Sequence, residues 1–406
     1  MKSLGHLRVL DLTRVLAGPW CTQLLADLGA DIIKIERPGR ADDTRAWGPP
    51  YLKDSNGADT TEAAYYLSAN RGKRSVTIDI STAEGQSLVH KLAAQCDIVV
   101  ENYMVGQLAK YRLDYASLTT NNPRLIYCSI TGFGQTGPNR MRAGYDFIMQ
   151  GIGGFMSITG ERDDRPGGGP QKAGVAVSDL MTGMYSTVAI LAAVTHRERT
   201  GQGQYIDMAL YDVMVAMLAN MNMNYLTSGT APGRAGNAHQ NIVPYQVFAA
   251  SDGHLIVTVG NDSQFAKFCM VAGVPHLAED LRYRRNADRV RNRDLLIAEL
   301  EAILRTKPLA FWVERIDAAG VPCGPINDIG QALADPQVAA RGMRIDLAHA
   351  LASQVPMVAN PIKMSATPPA YELPPPLLGE HTACVLREFA GVDENQLNAL
   401  KSRGIV

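Results

Sequence analysis

The sequence predicts an α/β protein, with a large domain built on a mostly parallel sheet and a smaller α+β domain beside it. Three observations predict this. Strand-like and helix-like stretches alternate from residue 7 to residue 132, the pattern of successive βαβ units with helices on both faces of a sheet. At 406 residues the chain is longer than one hydrophobic core usually serves. The alternation stops near residue 140 and a hairpin followed by helices takes over from about residue 242, as expected of a second domain.

Each element has its own local reason. "LRVLDLT" (7–13) is an apolar strand; "GPWCTQLLADLG" (18–29) is a helix with Pro19 near its start and Gly29 near its end; "ADIIKIE" (30–36) is the next strand. The unit recurs with "SVTIDI", the helical "AEGQSLVHKLAAQ", "DIVVEN", a helical stretch through "VGQLAKY" and the strand "RLIYCSITG". The large domain is therefore Rossmann-like, with ligands expected at the carboxyl ends of its strands. "TRVLAGP" stands where a dinucleotide-binding G-x-G-x-x-G would follow the first strand, so a nicotinamide cofactor is not expected.

Beyond residue 140 a glycine-rich loop, "GGGPQKAG", leads to a long apolar helix that begins near Asp179 and closes around Gly201. The uncharged stretch after Asp212 is long enough to raise the question of a membrane span. Asn220, Asn222 and Asn224 would be costly in lipid, so it reads as a buried helix of a soluble protein. "IVPYQVFAASDGHLIVTVG" is a hairpin turning at Ser251–Gly253, followed by helices in "DSQFAKFCMVAG", "NRDLLIAELEAIL" and "LAFWVERIDAAG". The expected domains are residues 1–227 (large), 228–325 (small α+β) and 326–406, a proline-rich segment whose last helix returns to the large domain.

Composition narrows the function. A formal net charge of −1 with 19% charged residues gives no general attraction to nucleic acid or membrane, so a polyanionic ligand must meet a local basic patch. The six cysteines have no CxxC pairing and no histidines at metal spacing; neither a metal site nor a disulfide framework is expected, and a cytoplasmic setting fits. The N-terminus lacks the pattern of a signal peptide. Met208, Met214, Met217, Met221 and Met223 read as core filler, and Ser178 lies in no G-x-S-x-G elbow.

Two groups of residues can carry chemistry. Asp179 at the mouth of the long helix is either a helix cap, which stabilises by about 1 kcal/mol, or a carboxylate kept anionic by the helix N-terminus and free to attack a carbonyl. Spacing alone leaves both open. "NRGKRS" places Arg71, Lys73 and Arg74 together; this is either a solvated charge run or, with Arg14 and Arg37 after the first two strands, a phosphate-binding rim that Asn102 and Lys110 would extend. Glu36 sits where a ribose-binding acid often does.

Taken together, "VLDLTRVLAGPWCTQLLADLGADIIKIERPG", "NRGKRSVTIDI", "VENY", "SITGFGQTGP", "GYDFIMQ", "VSDLMTGMY", "TGQGQYIDMAL", "GVPCGPIND" and "PPPLLGEHT" resemble the family III CoA-transferases, the formyl-CoA transferase and carnitine CoA-transferase group. "GNAHQNIVPYQVFAASDGHLIVTVGND" is most similar to the branch using succinyl-CoA and dicarboxylate acceptors such as glutarate. The resemblance implies that Asp179 is the nucleophile, passing through mixed-anhydride and aspartyl-CoA thioester intermediates. It implies that Arg14, Val15, Ala17, Arg37, Asn70, Lys73, Asn102, Tyr103 and Lys110 contact CoA, joined by Arg71 from the basic cluster, and that Tyr145 and Asp146 lie near the thioester. CoA enters as a substrate thioester, no tightly bound cofactor is implied, and an interlocked homodimer is. "GRAGNAH" replaces the family's run of glycines in the lid loop, where Gly236 and His239 are the residues of interest, the latter for an acceptor carboxylate.

Two alternatives remain in view. α-Methylacyl-CoA racemases share this pattern but need a second proton-transfer group, and "AGYDF" offers Tyr145 where their histidine is expected; tyrosine, with a pKa of about 10, is a poor base at neutral pH. A non-catalytic CoA-binding protein would keep the basic rim and have no use for Asp179.

Overall fold

A computed structural model describes residues 2–120 and 122–406. The chain groups into two compact units, one of residues 1–155, 173–220 and 339–406, the other of residues 156–172 and 221–338. The small unit thus begins earlier and ends later than the sequence boundaries at 228 and 325, and takes in the glycine-rich segment before the long helix. A contact-based unit is defined by which residues pack together, which composition along the chain does not report.

In the first unit the strands run β1 (Arg8–Asp11), β2 (Asp31–Glu36), the hairpin β3 and β4 (Tyr51–Lys53, Asp59–Ala63), β5 (Lys73–Thr77), β6 (Ile98–Glu101), β7 (Ile126–Thr131) and β8 (Tyr205–Ala209). Six of them form one parallel sheet in the order β5-β2-β1-β6-β7-β8. The chain travels outward from β1 to β5 and then returns to pair β6 against β1, so the connections reverse between β1 and β6. Such a switch point leaves a crevice at the carboxyl ends of those two strands.

Successive strand residues feed opposite faces. Leu10, Ile33 and Val99 pack with helices Ala83–Ala93 and Thr382–Ala390, while Val9, Ile32 and Val100 pack with helices Ala17–Asp27 and Val177–Thr200. Helix Thr382–Ala390 packs on this sheet, and a further helix, Glu394–Ser402, follows it. "VGQLAKY" is shorter than expected, a single 3₁₀ turn at Leu108–Tyr111.

The second unit holds β9 (Tyr245–Ala249), β10 (His254–Thr258) and β11 (Cys323–Pro325) in an antiparallel sheet of order β11-β10-β9. Phe248, Leu255 and Val257 pack there with Phe265, Leu296, Leu300, Trp312 and Ile316 of the surrounding helices.

The uncharged stretch after Asp212 corrects the expectation of one buried helix. It forms two, Leu210–Met217 and Ala219–Ser228, broken where Ala219 takes φ +42°, and no residue of the second is buried. Of the five methionines only Met214 is fully buried; Met208 and Met217 pack partly on the core and Met223 is 54% exposed.

Candidate active site

At the switch point the loop after β1 is held in a conformation the sequence does not advertise. Val15 has φ +71°, a region that β-branched residues rarely enter and that persists only when the surroundings fix it. Two groups fix it. Asn102, just beyond β6, accepts from the Arg14 N–H (3.0 Å) and donates Nδ2–H to the Arg14 carbonyl (2.7 Å). Asp42 accepts the Val15 N–H (3.2 Å).

Asp42 is itself anchored by the fully buried Lys34, whose ammonium donates to Asp42 Oδ2 (3.0 Å) and to the Thr13 carbonyl (2.8 Å). Beneath the loop, Asp11 at the end of β1 accepts from Thr13 N–H (2.9 Å), Thr22 Oγ1 (2.6 Å) and Lys73 Nζ (3.2 Å). Burial alone would raise the Asp11 carboxyl; Lys73 and Lys34 outweigh it and hold the group down at about 2.

A cavity of about 310 Å³ opens above this floor. Arg14, Val15 and Ala17 line it from β1, Asn102 and Tyr103 from β6, Gly132 from β7, Arg142 and Tyr145 from the following loop, and Asp179 from the long helix. Close backbone approaches bring these walls together. A Cβ on Gly183 would sit 2.7 Å from the Ala17 carbonyl, so the long helix crosses the first one at a range only glycine permits. A Cβ on Gly144 would sit 2.4 Å from Gly132 Cα, which ties the 139–145 loop to the end of β7.

Asp179 is not a cap. The N-cap position is Ala176, without a side-chain bond, and Asp179 lies inside the first turn, facing the cavity. It is not held anionic either: burial, and then the charge of Asp146, push its carboxyl up to about 7. The helix N-terminus, which favours the ionised form, is outweighed by desolvation. Asp146 starts the helix Asp146–Ile152 and is fixed by accepting from Ser178 N–H (2.8 Å) and Gln150 Nε2 (2.7 Å). Tyr145 precedes it, 62% exposed at the cavity mouth.

A neighbouring cavity of about 510 Å³ is lined by Arg14, Arg37, Arg40, Tyr103, Gln107 and Tyr111. Arg14 stacks over the Tyr103 ring at 5.0 Å. Arg14 and Arg37 thus do share the carboxyl edge of the sheet, as the βαβ reading expected.

The "NRGKRS" cluster does not join them. Asn70 and Lys73 are fully buried and Arg71 is nearly so. Lys73 spends its ammonium on Asp11, the Pro19 carbonyl (3.0 Å) and Asn70 Oδ1 (2.9 Å), and Arg71 pairs with Asp27 at 2.8 and 2.6 Å. The cluster starts at the amino end of β5; the charges of Arg71 and Lys73 are neutralised inside, and Arg74 pairs with Asp31 and Glu388 nearer the surface. Lys110 is exposed and lines neither cavity. Glu36 is not open to a ribose: it is buried, taking both Arg45 Nε and Nη2 at 2.9 Å and Ser75 Oγ at 2.6 Å.

In the second unit, Gly236 has φ +59° and packs so tightly that a Cβ would lie 2.7 Å from Glu161 Oε1. His239 accepts the Asn241 N–H at Nδ1 (3.0 Å), which leaves the proton of a neutral ring on Nε2. Burial and then Arg293 lower its pKa, so the ring is a neutral donor at physiological pH.

Sequence reasoning missed Asp42, Lys34 and Arg142. The first two are joined by the loop after β2 folding back on that strand, which spacing does not report; Arg142 stands just ahead of the quoted "AGYDF".

With this geometry in hand, comparison with known proteins is informative. The pattern of CoA-transferase family III matches residues 4–382. The chain is 53% identical to the succinate–glutarate CoA-transferase of Agrobacterium fabrum, covering 96% of each protein. It is 41% identical to the human succinyl-CoA:glutarate CoA-transferase over all of this chain and 90% of that one. Among solved structures, a CAIB/BAIF family protein from Brucella suis superposes with a TM-score of 0.84 at 49% identity, covering 96% of this chain and 99% of the other.

Proposed function

Because the chain belongs to CoA-transferase family III and is a CoA-transferase, we propose that it moves CoA from succinyl-CoA to a dicarboxylic acid such as glutarate, with Asp179 as the nucleophile. One observation carries this reading: Asp179 faces the switch-point cavity with no cation bonded to it among the described residues, and its carboxyl is pushed up to about 7. A carboxylate tied up in an ion pair would be a poor nucleophile. One stripped of water attacks readily when ionised.

In the proposed sequence Asp179 attacks the thioester carbonyl, breaking the C–S bond to give a mixed anhydride and the CoA thiolate. The thiolate attacks the Asp179 side of that anhydride, releasing succinate and leaving an aspartyl-CoA thioester. The acceptor carboxylate then attacks this thioester, forming a second anhydride and freeing the thiolate again. Attack of the thiolate on the acceptor's carbonyl yields the new acyl-CoA and restores Asp179. No group energy is lost provided water stays out.

Arg14 and Arg37, with Arg40 beside them, are proposed to take the CoA phosphates, since they converge on one cavity edge. Val15, Ala17, Asn102 and Tyr103 would form the wall along the thioester arm. Lys73, oriented by Asn70, would anchor Asp11 in the core, and Arg71 would anchor the end of helix Ala17–Asp27 through Asp27, none of the three touching CoA. Gly236 and the neutral His239 are proposed as lid residues. A homodimer is proposed because Met184, Tyr185 and Val188 expose an apolar stripe on the long helix. A cytoplasmic location is proposed because all six cysteines are free thiols.

Two measurements test the chemistry. Asp179→Ala should abolish transfer and still bind CoA; hydroxylamine added with succinyl-CoA should leave a hydroxamate on residue 179. Undiminished transfer by the variant would overturn the assignment.

A further inference from the structure

A dicarboxylate presents two carboxylates, and only one of them reacts. The other must be held somewhere in the same cavity, or the site would accept monocarboxylates as readily. We infer that Arg142 holds the distal carboxylate of the acceptor and so determines the preference for dicarboxylic acids; this rests on the transferase reading above.

Three observations carry the inference. Arg142 and Asp179 line one cavity of about 310 Å³, a volume at the lower end for small-molecule sites and suited to a short acid. Arg142 is also a positioned cation rather than a loose one. Its guanidinium lies over the Phe133 ring at 5.0 Å, Phe133 packs on Tyr211 at 5.7 Å, and its backbone N–H is bonded to the Asn139 carbonyl at 2.8 Å. The Gly132 and Gly144 contact pins both ends of this arrangement.

Third, the guanidinium has no carboxylate of its own. Among the described residues it is in no ion pair, and its one side-chain hydrogen bond is a long 3.4 Å contact from Nη1 to Asn139 Oδ1. Among the described residues it does not pair with Asp179 either, whose carboxyl is set by burial and then by Asp146. Lining one cavity without pairing, the cation and the nucleophile leave room for an acid with two charged ends. Guanidinium offers a planar, bidentate match to a carboxylate. Arg14 is engaged with Tyr103 and lines the neighbouring cavity as well, and Arg140, on the same wall, has no aromatic platform among the described residues.

The test compares glutarate with pentanoate as acceptors from succinyl-CoA, and separately measures free CoA binding by calorimetry. Arg142→Gln should reduce the glutarate-to-pentanoate ratio of kcat/KM by about 100-fold, the expected size for losing a charge-assisted pair, while the Kd for free CoA stays within about twofold. Arg142→Lys should recover part of the ratio because the charge remains. A thermal melt of each variant confirms folding, and an unfolded Gln variant leaves the Lys variant to decide by its own ratio. An unchanged ratio in a folded variant would overturn the inference. So would a parallel loss of free CoA affinity, which would place Arg142 on a CoA phosphate. If the unmodified protein transfers CoA to neither acid, it is the transferase reading with dicarboxylates that fails.

Discussion

Asp146 lies close enough to Asp179 to raise its carboxyl, yet it is locked in place by the Ser178 N–H and the Gln150 amide. The pair is therefore asymmetric. One carboxylate is held by two hydrogen bonds, and the other, partly buried, is pushed up to about 7 by burial and then by its neighbour.

This fixes the pH dependence of turnover. Asp179 must be ionised to attack, so kcat/KM should rise with pH through a limb near 7 and flatten above it. Asp146→Asn removes the neighbouring charge and should move that limb to lower pH. Glu101, at the end of β6, is also pushed by burial up to about 7, so Glu101→Gln is the control. If the limb disappears in Glu101→Gln and stays put in Asp146→Asn, Asp179 is not its source.

The same shift has a stability consequence of definite sign. The folded-state value is raised above that of an ordinary aspartate, so the folded protein favours the protonated acid. The contribution to stability is fully present below about 4 and is lost as pH rises through about 7. Asp179→Asn should then be nearly neutral at pH 4 and stabilising at pH 8. The shift sets a ceiling of about 4 kcal/mol, reduced by the water that reaches the cavity, so a gain of about 1–3 kcal/mol is expected from paired denaturant titrations. Equal effects at both pH values would contradict the shift.

How much of this was readable in advance depends on what each residue's neighbours are. The sheet was legible because strands such as "ADIIKIE" and helices such as "AEGQSLVHKLAAQ" carry their periodicity locally, and Gly201 marks the end of the long helix with φ +76°. Asp179 was legible as a helix-mouth acid; its raised carboxyl was not, because that depends on burial and then on Asp146, distant in sequence. The break at Ala219 has no local signal, since alanine is an ordinary helix former. The basic run misled for a related reason: it looks the same whether its charges meet solvent or, as here, Lys73 meets Asp11 on the sheet and Arg71 meets Asp27 at the end of the first helix.

The clamp on the β1 loop can be tested directly. Asn102→Ala removes both bonds to Arg14 and frees a loop that already carries a strained Val15. A stability loss of about 1–2 kcal/mol is expected, with CoA affinity about tenfold weaker because Arg14 is no longer aimed. Asn102→Asp keeps the acceptor for the Arg14 N–H and loses the donor to its carbonyl, so it should fall short of the original protein in affinity. CoA titrations that match the unsubstituted protein would show that the loop holds its shape without Asn102.

The basic residues should separate into two classes when substituted one at a time. Lys73→Met leaves the Asp11 carboxylate buried with Lys34 as its remaining charged partner. Breaking a buried pair from one side typically costs about 3–5 kcal/mol, so a large drop in melting temperature is expected, and whatever protein folds should bind CoA with little change. Arg37→Gln acts on a side chain that lines the open cavity and has no ion pair among the described residues. Its melting temperature should hold while CoA affinity falls by about tenfold and becomes less sensitive to salt. Had the "NRGKRS" run been a phosphate rim, the outcomes would be exchanged: Lys73→Met would fold normally and bind poorly. Melting and CoA titration on the two variants therefore decide whether this chain meets the phosphates with the carboxyl edge of its sheet or with the amino end of β5.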